Sequence, residues 1–166
     1  MYTLHCTKKL LDHVGVPASS SLPSPTGPTT MLGNWYATAL FWKPQVALLV
    51  NERTLLPWLM PLAPASTVVK RFPPELATLL ARHGADEAFI ANEVAAMNEI
   101  SVAKTANRSV VGTMNEFAFL AEGYREYIGT TDLLVLSMRL ADTPCSAIKY
   151  DSPARLLREI TAVSTS

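Results

Sequence analysis

The chain has 166 residues and a mass of 18.1 kDa, enough for one domain that buries roughly two-thirds of its unfolded surface without a disulfide or metal staple. Apolar residues make up 49% and charged residues 17%, which excludes a disordered tail and describes a packed core under a lean polar shell. Lys plus Arg and Asp plus Glu both number 14, so the strongly basic profile of a general nucleic-acid binder is absent. The cancellation hides a gradient: residues 1–83 carry seven basic and three acidic side chains, residues 84–166 seven and eleven.

At the start of the chain Tyr2, Leu4 and Cys6 alternate with Thr3, His5 and Thr7, the period of a strand with one buried face. Thr7 is placed to cap a helix carrying Leu10, Leu11 and Val14, with Gly15 as its left-handed terminus. Residues 16–30, dense in proline and serine, read as an exposed loop. Residues 34–42 suit either helix or strand; Trp35, Ala39 and Trp42 share a helical face, which favours helix, and Lys43-Pro44 ends it. Residues 45–50 and 54–60 flank Asn51-Glu52-Arg53 as a hairpin. Pro57 lacks an amide donor and sets the second strand at a sheet edge or a bulge.

Helical spacing takes over at Phe72, where Pro73 and Pro74 suit a first turn, Leu76, Leu79 and Leu80 form a stripe, and Gly84 ends the helix. Asp86 and Glu87 open the next helix, and residues 101–105 read as a short strand. Thr113 and Glu116 have the spacing of a capping box ahead of a long helix closed by Gly129. Thr131 or Asp132 starts another helix, and Ser152-Pro153 the last. About four strands, mostly early, and about six helices, mostly late, predict an α+β fold: a small mixed or antiparallel sheet in a single domain spanning residues 1–166.

Cys6 and Cys145 lie far apart without CxxC spacing, and no HExxH, HxH, GxGxxG or GxxxxGK[ST] occurs. Two reduced thiols, no metal and no cofactor are therefore expected. The N-terminus lacks a long apolar run before a small-residue cleavage site, and the apolar stretch 46–62 is interrupted by charges and prolines. A cytoplasmic protein without a membrane span is the expectation. The most suggestive polar segment is Lys104-Thr105-Ala106-Asn107-Arg108-Ser109, basic and hydroxyl-rich between a strand and the strongest helix, where an anion such as phosphate can be held. Capping is the commoner use of Asn107 and Ser109. Lys8 and Arg53, at a strand end and a hairpin end, would join Lys104, Asn107, Arg108 and Ser109 if three loops converged.

With these elements placed, the blocks CTKKLL (6–11), TTMLGNWYATALFWKPQVALLVNERTLLPWLMPLAP (29–64), AKTANRSVVGTMNEFAFLAE (103–122) and LADTPCSAI (140–148) stand out together. The chain resembles an uncharacterised bacterial family, one of the domains of unknown function. The resemblance implies no activity or catalytic residue. In that family the position of Asn34 is often Asp, giving GDWYA where this chain has GNWYA, which weighs against catalysis centred there. Three functional readings follow: a non-catalytic binding or interaction module, alone or as a homodimer; an enzyme or regulator acting on a phosphorylated ligand or nucleic acid; and an antitoxin-like or accessory partner of another protein.

Overall fold

The computed structural model describes residues 1–15 and 27–165, with side chains through residue 162; most of the expected loop at 16–30 lies outside the described residues. Five strands, β1 (Tyr2–Cys6), β2 (Trp35–Leu40), β3 (Val46–Asn51), β4 (Pro57–Pro61) and β5 (Ile100–Lys104), form one sheet in the order β4-β3-β2-β1-β5. β1 pairs in parallel with both β2 and β5, whereas β2, β3 and β4 are antiparallel. Six α-helices cover it: α1 (Lys8–Val14), α2 (Val68–Arg82), α3 (Glu87–Ala96), α4 (Arg108–Ile128), α5 (Leu133–Ala141) and α6 (Pro153–Thr165). The architecture is α+β with a mixed sheet, and the strand count is five rather than four.

The additional strand is β2. Residues 34–42 are not a helix: Trp35 to Leu40 pair along their whole length with β3, and all six are buried. A central strand covered on both faces loses the polar alternation that would reveal it. Trp35, Ala37 and Ala39 face a core with Leu10 of α1 and with Phe72 and Leu76 of α2, while Tyr36 and Leu40 face a second core with Met114 and Phe117 of α4 and Leu136 of α5. Burying both faces of this sheet supplies the main drive to fold.

Several expected termini hold. Gly15 and Gly129 end α1 and α4 in the left-handed conformation, Asp86 caps α3 and Asp132 caps α5. Three starts differ. Thr7 makes no side-chain cap and instead shares a 2.8 Å hydrogen bond with Thr38 of β2. α2 begins at Val68, so Pro73 and Pro74 lie inside it, past its first turn. The long helix begins at Arg108 behind Asn107, not at Thr113, whose hydroxyl donates back to the Ser109 carbonyl.

The hairpin forms as expected, with β4 at the sheet edge. Along that edge alternate residues point their amides outward, and the amide of Leu59 does so, donating to Ser137 Oγ of α5 at 2.9 Å. Pro57 and Pro61, two residues to either side, have no amide to offer.

Candidate functional site

Strand direction decides which loops meet. β1, β2 and β5 run parallel, so their carboxyl ends lie at one end of the sheet, where β1 passes into α1 and β5 into α4. α1 packs on one face through Leu10 and Val14, and α4 on the other through Val110, Met114 and Phe117. Neighbouring parallel strands whose helices depart to opposite faces leave a crevice between them, the favoured ligand position in open sheets with parallel strands. Lys8 opens α1, Lys104 ends β5, and Asn107, Arg108 and Ser109 begin α4. Five of the six expected residues therefore stand at this carboxyl end.

Their roles divide. Asn107 Oδ1 accepts from the amides of Ser109 at 2.9 Å and Val110 at 3.3 Å, so the cap takes two amides that could otherwise face an anion. The loop is pinned from β1 and β2: the Asn107 amide donates to the Tyr36 hydroxyl at 2.9 Å, and His5 Nδ1–H donates to the Lys104 carbonyl at 2.8 Å. The His5 and Tyr36 rings stack with centroids 4.6 Å apart. Sequence reasoning missed this pair, although the alternation of β1 places His5 on the face opposite Cys6. Lys8, Lys104 and Arg108 are exposed. Among the described residues the ion pairs are those of Arg155 with Asp151 and Glu159, so these three cations have no anionic partner. Arg108 lines a cleft of about 410 Å³ with Thr105, Val111 and Asn115.

Arg53 does not join them. β3 runs against β2, so the hairpin after Asn51 lies at the amino end of the sheet, about 15 Å away along the five-residue β1 at ~3.3 Å per residue. There Arg53 Nη1 donates to the Met31 carbonyl and Glu52 Oε1 accepts from the Asn34 amide at 2.9 Å. Gly33, at φ 76°, makes room for this clasp: a Cβ there would meet Glu52 Oε1 at 2.8 Å. Asn34 Oδ1 accepts from the Thr3 amide at 2.8 Å, a bond that an Asp carboxylate would accept equally. Asn51 and Glu93, both buried, complete the network: Asn51 Oδ1 accepts from Arg53 and Thr54, and Glu93 Oε2 from the Met31 and Leu32 amides at 3.0 and 3.2 Å. Burial pushes the Glu93 carboxyl above its usual value, opposed by those two hydrogen bonds.

Nucleophilic thiol chemistry has no support here. Burial pushes Cys6 up to about 12 and, with Glu116 adding to the effect, Cys145 up to about 11, so both are neutral thiols at pH 7. Among the described residues no cluster of three His, Cys, Asp or Glu side chains is placed to hold a metal, and no helix is long and apolar enough to cross a membrane.

A further cleft, unforeseen from the sequence, lies farther along the carboxyl end beneath the β2–β3 turn. Its inner lobe, about 360 Å³, and outer lobe, about 530 Å³, share Trp42, Lys43, Arg125 and Thr131. The Arg125 guanidinium sits 4.3 Å from the centre of the Trp42 ring. Arg125 and Trp42 are 83 positions apart in sequence, and their meeting depends on α4 crossing the sheet, which no local pattern reveals.

No curated protein and no solved structure matches the chain. One family does, over residues 3–156, nearly the whole length. The chain belongs to the family described as Domain of unknown function (DUF6933).

Proposed function

We propose that this protein is a non-catalytic cytoplasmic binding module of bacterial origin that takes a small phosphate-bearing ligand at the carboxyl end of β1 and β5. The observation that carries the reading is the position of Lys8, Lys104 and Arg108, exposed and, among the described residues, without anionic partners, at the end of the sheet where neighbouring parallel strands send their helices to opposite faces. Unpaired cations beside a polar cleft favour an anion through charge-assisted hydrogen bonds. Because Asn107 occupies the amides of Ser109 and Val110, contact falls to side chains: Arg108, Thr105 and Asn115 in the cleft, while Lys104 and Lys8 add positive charge at the same end of the sheet. The His5–Tyr36 stack holds the loop in shape before a ligand arrives, which lowers the ordering cost of binding.

Titration of the ¹⁵N-labelled protein with inorganic phosphate and with adenosine monophosphate tests this. The expected result is saturable shifts at the amides of residues 104–112, weakened about tenfold when Lys104→Ala and Arg108→Ala are combined. Unmoved amides in that segment, or shifts that survive both substitutions, would overturn the assignment.

A further inference from the structure

The cleft beneath the β2–β3 turn differs in chemistry from the Arg108 cleft. The walls of its inner lobe are mainly apolar, formed by Trp42, Pro44, Val46, Pro61 and Leu133. Its charged lining residues are both cationic: Lys43, exposed, and Arg125, half-buried. Two acidic side chains close in sequence to the lining residues, Asp132 and Glu122, are otherwise placed. Asp132 turns its Oδ1 onto the amides of Leu134 and Val135 at 3.0 and 3.3 Å, and Glu122 lines only the outer lobe. The volume falls within the range of small-molecule pockets, which typically pair apolar walls with a few placed polar groups.

We propose that this lobe binds a small carboxylic acid with an apolar body, its hydrocarbon part among Trp42, Val46, Pro61 and Leu133 and its carboxylate on Arg125. The cation–π contact holds the guanidinium over the Trp42 ring, and a planar fork of donors is the match for a carboxylate. Lys43 adds a second positive charge, and Thr131 a hydroxyl. A phosphate dianion would lose more hydration against these walls than a monoanion, which separates this ligand class from that of the Arg108 cleft.

The indole N–H of Trp42 is the natural reporter, because Trp35 and Trp58 are buried in the opposite core. The ¹⁵N-labelled protein is titrated with 3-phenylpropionate and with 3-phenylpropan-1-ol, its uncharged counterpart. The expected outcome is a saturable shift of the Trp42 indole, with the acid bound about tenfold more tightly than the alcohol. Arg125→Met removes that preference, Arg125→Lys retains part of it, and Arg108→Met leaves it unchanged. Should Arg125→Met disturb folding, Arg125→Lys and the acid-to-alcohol ratio carry the test. An unmoved Trp42 indole at about 10 mM acid, equal affinity for acid and alcohol, or loss of binding in Arg108→Met would each overturn the proposal. The last outcome would also place the anion in the Arg108 cleft.

Discussion

At the amino end of the sheet the Asn51 side chain alone makes five hydrogen bonds, to Leu32, Asn34, Arg53 and Thr54. At the carboxyl end the side chains of Lys8, Lys104 and Arg108 are exposed and form no ion pair among the described residues. The residue types overlap, since both ends combine Asn, Arg and hydroxyl groups, yet one set is consumed by the fold and the other faces solvent. A polar cluster in sequence therefore reads as structure or as function only once its internal partners are counted. Glu52 and Arg53 look like a binding hairpin and act as a clasp on Gly33, Asn34 and Met31.

The contrast can be broken most forcefully at Asn51. Asn51→Ala strands the buried Thr54 amide and the Leu32 carbonyl, so a loss of about 3 to 5 kcal/mol in urea unfolding is expected. A loss below about 1 kcal/mol would show that the amino end is not held by this network.

Glu93 sharpens the comparison through pH. Its carboxyl, raised above 4.5 by burial, binds a proton more tightly folded than unfolded. Its favourable contribution is full below 4.5 and is lost as pH rises through the raised value, with a slope of at most about 1.4 kcal/mol per pH unit. His83 acts in the opposite sense, because burial lowers its pKa below 6.5, and stability from its neutral form is lost as pH falls. The difference between wild type and Glu93→Gln isolates the glutamate: unfolding measured from pH 4 upward should show the falling leg in wild type and not in the variant. Parallel curves would contradict the assignment.

The smallest effect belongs to the carboxyl end. Lys104→Ala with Arg108→Ala should change unfolding free energy by less than about 0.5 kcal/mol, as expected where no partner is lost. A cost above about 1 kcal/mol would mean that these cations serve the fold after all.

Much of the local grammar was legible in the sequence. Asp86 and Asp132 start helices and Gly15 and Gly129 end them, as their types predict, and the hairpin follows from two apolar runs around three polar residues. Two kinds of feature were hidden. β2 is buried on both faces, so its pattern of Trp, Tyr, Ala and Leu gives no period. The capping-box spacing of Thr113 and Glu116 is real, but Asn107 starts the helix earlier and Thr113 lies within it. Adjacency in sequence keeps Lys104 and Arg108 at one end of the sheet, whereas the position of Arg53 depended on strand direction. The Trp42–Arg125 contact depended on where a 21-residue helix ends.

The β4 margin governs how copies of this molecule could share a sheet. With Pro57 and Pro61 lacking amides and the Leu59 amide held by Ser137, that side offers an arriving strand no donors. Among the described residues the other margin of the sheet is β5. Two copies could join β5 to β5 and would then present closed β4 margins on both outer sides. Continuation into a fibre needs two open margins per copy, and the β4 margin supplies no donors.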